Sequence, residues 1–369
     1  MPAEPTFTLG IEEEFQVVDP ESRQLKSHIS ELFTEGERRL KDEIKREMHD
    51  AVIEVGTPIC RDIAHARREI TRLRREIILL TGEQGLKIAA AGTHPISHWA
   101  NVPITDNERY DKIVYEMQML ARANLIFGLH VHVAVEDPET RIQVMNATRY
   151  FLPHIFALSV NSPFWCGHDT GWKSYRAKVF ERFPRTGLPD HFDRLSDYEA
   201  YVETLIKTNC IDNPKKIWWD VRPHPFFPTL EYRICDVPMR VDETLCMAAL
   251  FQALTVKLYR IYRKNMGWRH YRRMLLNENK SRAARFGTGG KLIDFGKGEE
   301  VQFTALLDEL LEFIDDVVDE LGSRSEIEYA RTIVQNGTGA DRQLAVWRQR
   351  NDLKDVVDYI ISETEHGVV

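Results

Sequence analysis

The stretch Thr8-Leu9-Gly10-Ile11-Glu12-Glu13-Glu14-Phe15-Gln16-Val17-Val18 is apolar enough to be buried, yet it carries consecutive carboxylates. Read as a strand, its period of two sets Phe7, Leu9, Ile11, Phe15 and Val17 on one face. Thr8, Gly10, Glu12, Glu14 and Gln16 take the other. Two carboxylates then stand side by side on a face flanked by apolar residues. Unpaired buried carboxylates are costly and neighbouring ones repel, so a cation should hold them. A hard divalent ion such as Mg²⁺ is the usual partner of an oxygen-rich site. The alternative is an exposed edge strand whose glutamates face water. Glu13 falls on the apolar face and fits neither reading.

Further segments repeat this two-faced pattern. Ala51–Gly56 reads as a short strand with Glu54 opposite Ala51, Ile53 and Val55. Ile126–Val135 sets His130 and His132 opposite Leu129, Val131, Val133 and Val135. A strand pair over 217–223 and 229–236 carries Arg222 on one member and Glu231 with Arg233 on the other. Leu86–Gly92 is a further strand. Helices are expected over Ser30–Met48, over Asn107–Ala123 and over 138–160. Another is marked by the stripe Ile63, Ala66, Ile70, Leu73, Ile77 and Leu80, spaced by threes and fours. Its Arg67, Arg68, Arg72, Arg74 and Arg75 read as a solvated face, because the net charge of -8 disfavours nucleic acid. Ser162–Arg185 reads as a long lid or binding loop, and from about 242 the chain is mostly helical, with breaks at 286–297 and 336–339. With no repeat and no linker, 1–369 is expected to form a single α+β domain: one sheet, helices on its apolar face, the other face kept for chemistry.

The five cysteines are scattered and lack metal-site spacing, so neither a disulfide framework nor a zinc site is expected. No secretory signal pattern and no apolar run of spanning length is visible, which points to a cytoplasmic protein without a membrane partner.

Strands that each offer carboxylate or imidazole opposite an apolar side argue for one shared polar sheet face able to hold several metal ions. Arginines beside metal-holding carboxylates suit a polyphosphate, whose oxygens both would neutralise. Residue by residue a structural role stays open: His132 as a satisfied side chain, Glu231 as an ion-pair partner of Arg233.

Gly10-Ile11-Glu12-Glu13-Glu14-Phe15, Gly128-Leu129-His130-Val131-His132-Val133 and Leu230-Glu231-Tyr232-Arg233 resemble the carboxylate–amine ligase family related to type 2 glutamate–cysteine ligases. So do Ser162-Pro163-Phe164-Trp165, Ser174-Tyr175-Arg176 and Gly337-Thr338-Gly339-Ala340-Asp341-Arg342-Gln343. The resemblance runs from about residue 7 to 345. It implies a glutamine-synthetase-like fold, a curved and mainly antiparallel sheet forming an active-site funnel with helices packed outside. It also implies ATP and Mg²⁺, with Mn²⁺ as a substitute. Glu12, Glu14, Glu54, His130 and Glu231 would be metal ligands, with Glu47 a further candidate at an expected helix end. Arg222 and Arg233 would contact nucleotide phosphates, and Arg176 a substrate carboxylate or the transferred phosphoryl group. Arg176, Arg233 and Glu231 would thus be catalytic. The implied reaction joins a carboxylic acid, by family default glutamate, to an amine, by default cysteine, through an acyl phosphate with release of ADP and phosphate. The expected partners are those small molecules, with a homodimer left open.

Two other classes compete. His-x-His on a strand also occurs as a metal pair in amidohydrolases, but there on the first strand of a barrel, whereas here it follows residue 125. A nucleotide-binding regulatory protein without catalysis would not need to retain Glu12, Glu14, Glu54 and Glu231.

Overall fold

The computed structural model describes residues 4–27 and 30–369. Its main sheet has seven strands among the described residues: β1 Leu9–Val18, β2 Ile44–Arg46, β3 Val52–Gly56, β4 Lys87–Ala89, β5 Leu129–Ala134, β6 Val221–Pro223 and β7 Thr229–Tyr232. They run in the order β6-β7-β5-β1-β3-β2, with β4 also paired to β1. Every pairing in this sheet is antiparallel.

The alternation in β1 sorts as expected. Leu9, Ile11, Phe15 and Val17 are buried. Leu9 and Ile11 pack with Ile63, Ala66 and Ile70, while Phe15 and Val17 pack with Leu73, Ile77 and Leu80. The helix Ile63–Gly82 thus lies across the apolar side of the sheet through the stripe that its spacing marks. Asp62 caps it, accepting the His65 N–H at 2.7 Å.

Glu13 has a partner on that same face. Both it and Arg74 of the Ile63–Gly82 helix have no exposed side-chain surface. Arg74 Nε donates to Glu13 Oε2 at 2.9 Å and Nη2 to Oε1 at 2.5 Å, and the Thr244 hydroxyl donates to Oε1 at 2.6 Å. The remaining Arg74 donors reach the carbonyls of Met239 and Pro238. Arg74 therefore does not belong to a solvated face. Arg67 and Arg72 are also engaged, with Asp242 and Glu43 respectively.

Several expected boundaries move. The Ser30–Met48 helix ends at Leu40; a short 3-10 turn follows and then β2. The 138–160 helix is two, Pro138–Thr148 and Leu152–Ser159. The 107–123 helix breaks at Gln118, whose φ is +50°. The break at 286–297 leads into a hairpin of Lys291–Asp294 with Glu299–Gln302. The strand expected over 229–236 leaves the ladder after Tyr232. Among the described residues one helix, Val241–Arg263, is long and apolar enough to cross a membrane by length and composition. That apolarity has another cause here: the helix is buried beneath the sheet and between Pro138–Thr148 and Arg324–Asn336.

Candidate active site

Register brings the polar residues of the strands together. Glu12 lies opposite His130, Glu14 opposite Glu54, and Gly10, His132, Glu231 and Arg222 form a row across four strands. Glu12, Glu14, Glu47, Glu54, His130, Arg176, Arg222, Glu231 and Arg233, the nine residues singled out in the sequence, all line one cavity of about 460 Å³.

Its acidic half is poor in counter-charge. Glu12, Glu54 and His130 each place a donor atom within 4.8 Å of the other two. Burial pushes Glu54 up to about 8, with Glu12 and Glu47 adding to the effect. Burial likewise pushes Glu14 and Glu47 up to about 7, helped by Glu54 and by Glu14 respectively. Burial and the nearby Arg233 lower His130 to about 4, so its imidazole is neutral at neutral pH. With Nδ1–H given to Glu12 Oε2 at 3.2 Å, Nε2 keeps a lone pair. Carboxylates that repel one another beside a neutral imidazole fit a hard divalent cation. Lys45 Nζ meets part of that demand, 2.8 Å from Glu54 and 3.1 Å from Glu12.

The other half is cationic. Glu231, 2% exposed, accepts Arg222 Nε at 2.7 Å and Arg222 Nη2 at 3.1 Å, and it also pairs with Arg233. Burial works against its charge, yet Arg233 and Arg222 hold it well below the usual carboxylate range. Glu231 is thus seated among arginines rather than in the Glu12–Glu54–His130 group. The Nε groups of Arg233 and Arg176 are buried with no hydrogen-bond partner among the described residues. Arg176, Arg222 and Arg233 all line the cavity, and guanidinium groups gathered there suit an oxyanion. His132 Nδ1 pairs with the Thr229 hydroxyl at 3.1 Å, and its Nε2 lies 3.8 Å from Glu12.

Arg176 sits not on a loose loop but on the short helix Tyr175–Phe180, and Ser162, Ser174 and Arg176 are buried. The segment expected as a lid is fastened to the sheet. Asp236 accepts the Ser162 hydroxyl at 2.6 Å, the Ser174 hydroxyl at 2.7 Å and the Asn161 N–H at 2.8 Å. The Gly337–Gln343 segment secures it from behind: Gln343 donates to Asn161 Oδ1 at 2.8 Å, and a Cβ on Gly339 would stand 2.1 Å from that same oxygen. The guanidinium then lies in a slot over Gly128, donating to the carbonyls of Arg233 and Ile234 at 3.3 Å. A Cβ on Gly128 would stand 2.3 Å from Arg176 Nη2. Gly128→Ala should therefore displace the guanidinium and lower turnover on the order of 10²-fold, as a misplaced positioning group does. Some loss of stability should accompany it, since the displaced guanidinium leaves the carbonyls of Arg233 and Ile234. Unchanged turnover would mean that Arg176 does not act from this slot.

The model of the family described as glutamate-cysteine ligase family 2 matches residues 8–359. The chain belongs to that family. Similar proteins include one from Solibacter usitatus, 56% identical over 99% of this chain and 95% of its own length, and one from Herpetosiphon aurantiacus, 53% identical over 98% and 94%. Both bear the name "Putative glutamate--cysteine ligase 2". The fold is similar to that of a bifunctional glutathione synthetase from Pasteurella multocida, with a TM-score of 0.73, 13% identity and 98% of this chain covered. This chain spans 52% of that protein. It is also similar to a glutamate–cysteine ligase from Francisella tularensis solved in complex with AMP, with a TM-score of 0.70, 14% identity, and coverage of 98% of this chain and 90% of that one. The expected fold holds: helices around an open, antiparallel sheet that is not closed into a barrel.

For this member of glutamate–cysteine ligase family 2, a carboxylate–amine ligase, sequence reasoning missed part of the cavity wall. Lys45, Arg109, Tyr110, His224, Phe226 and Phe227 line it too. Lys45, Arg46 and Glu47 reach the cavity from β2 and the residue after it, a strand of three residues that is too short to reveal itself by alternation.

Proposed function

We propose that the chain is an ATP-dependent ligase that activates a carboxylate as an acyl phosphate and passes the acyl group to an amine. One observation carries this reading: a carboxylate-and-imidazole half and an arginine half face each other across a single cavity. A carboxylate oxygen attacks the γ-phosphorus of ATP, the bond to the β,γ-bridging oxygen breaks, and ADP leaves. The amine nitrogen then attacks the acyl carbon, the carbon–oxygen bond to phosphate breaks, and the amine proton passes to phosphate or solvent. Glu12, Glu14, Glu54 and His130 would hold Mg²⁺, with Glu47 and Glu231 at the margins of that set. When bound, the ion would draw the phosphate oxygens together and offset their charge. Arg222 and Arg233 would orient the nucleotide phosphates, and Arg176 would steady the acid's carboxylate or the group in transfer. The names of the relatives support glutamate as the acid and cysteine as a candidate amine. The chain would work as one catalytic unit, its helical part from about 242 backing the sheet, and its free cysteines suit a reducing cytoplasm.

Nucleotide binding should need the divalent ion, because without it the half of the cavity built from Glu12, Glu14 and Glu54 has little positive charge to set against phosphate. Calorimetric titration with ATP is expected to show tight binding in Mg²⁺ and little in excess chelator. Equal affinity in both would contradict the reading.

A further inference from the structure

The turn between β6 and β7 holds two large aromatics in the open: Phe226 is 64% exposed and Phe227 59%. Each forgoes the burial that a phenylalanine ordinarily gains, and both line the cavity that holds the carboxylates and arginines. The turn is built around His224. Its Nδ1 accepts the backbone N–H groups of Phe226 at 3.2 Å and Phe227 at 2.9 Å. Its ring stacks on Phe227, with centroids 4.5 Å apart and planes 10° from parallel. Lys215 Nζ lies 4.8 Å from the Phe226 centroid. The rim thus offers flat apolar faces beside a positive charge, which suits a ligand that is aromatic at one end and anionic along its length.

Sheet register sets where that ligand would lie. Cavity-facing residues recur at every second position, about 7 Å apart along a strand. Glu14 and Glu54 make one row, Glu12 and His130 the next, and Gly10, His132, Glu231 and Arg222 the third. His224 follows, with its ring edge-on to His132 at 5.4 Å. From Glu14 to Gly10 is about 13 Å, comparable with an extended triphosphate and its ribose. A terminal phosphate among Glu12, Glu14 and Arg233 therefore leaves the base at the 224–228 turn. Small amino acid substrates would gain little from two phenyl rings, whereas a purine has faces to match them.

We propose that Phe226 and Phe227, braced by His224, form the base-stacking seat of the nucleotide. This rests on the ATP reading above. Base–aromatic stacking of this kind is sequence-tolerant, so the seat would favour nucleotides over bare polyphosphate without strongly selecting one purine. The test uses the full-length protein in saturating Mg²⁺ and compares ATP with inorganic tripolyphosphate by calorimetry. Wild type should prefer ATP. The double variant Phe226→Ala/Phe227→Ala should lose about tenfold or more in ATP affinity while binding tripolyphosphate as before. The pair Phe226→Tyr/Phe227→Tyr, which keeps both ring faces, should retain the preference. Both variants should melt like wild type, since neither ring is buried. A wild type that binds tripolyphosphate as tightly as ATP, or a double alanine variant with undiminished ATP affinity, would overturn the seat and leave the ligase reading standing. Undiminished affinity accompanied by a change of oligomeric state would overturn it too and give the aromatics to a contact between copies. A wild type that binds neither ligand would overturn the ATP reading and the seat with it.

Discussion

Glu231→Gln is expected to lower ATP turnover by about 10² to 10³-fold, roughly 3–4 kcal/mol of transition-state stabilisation. Glutamine keeps the shape of the side chain but removes the charge that two guanidinium groups share. Arg222 reaches both oxygens of Glu231, and Arg233 reaches one. In the variant an amide NH₂ must face at least one guanidinium, and two largely buried cations lose their counter-charge. Both arginines would then leave the orientation in which, on the proposed reading, they would meet phosphate. The substitution should also cost about 1–3 kcal/mol of stability, the usual penalty for a broken buried hydrogen-bonded pair, and inorganic phosphate should restore part of it. The measurements are turnover in saturating Mg²⁺ and thermal melts with and without phosphate. Turnover within about threefold of wild type, far short of the loss of an oriented electrostatic group, would take Glu231 and its arginines out of the chemistry.

The second large effect lies on the opposite face of the sheet, in β1. Removing one partner of the Glu13–Arg74 pair, by Glu13→Met or Arg74→Met, should destabilise by about 3–5 kcal/mol, because the other is left charged and fully buried. Removing both should cost about 2 kcal/mol less than the sum, a coupling within the range for contacting residues. Full recovery is not expected: the carbonyls of Pro238 and Met239 and the Thr244 hydroxyl would lose their partners. Urea unfolding midpoints of the four proteins check this. Strictly additive losses would mean that charge does not couple the pair. The functional consequence is register. A one-residue slip of β1 would send Glu12 and Glu14 into the core, and Glu13 clamped to Arg74 opposes that slip.

Much of the site was legible because it lies on strands, where a period of two assigns every residue to a face. Glu12, Glu14, Glu54, His130 and Glu231 could each be placed on the polar side before any pairing was known. The partner of Glu13 was not legible. Arg74 is 61 residues away, and its place in the helix could be matched to Glu13 only once the helix was docked on the sheet. β2 was hidden for a different reason. The residues before it form a true helix, and a three-residue strand carries too little alternation to interrupt that pattern. The 162–185 segment read as a loop because its glycines and aromatics lack periodicity. Its order comes from Asp236, Asn161 and Gln343, tertiary partners that local sequence cannot supply. Phe226 and Phe227 gave no signal, since exposed aromatics in a turn fit neither a core stripe nor a metal set.

Oxygen tracing from the acid substrate tests the central claim most directly. With glutamate labelled with ¹⁸O in its carboxylates, cysteine, ATP and Mg²⁺, attack on the γ-phosphorus should carry one labelled oxygen into inorganic phosphate for each amide formed. ADP should be the nucleotide product. Phosphate without label, or label in AMP with release of pyrophosphate, would contradict acyl phosphate formation in this cavity.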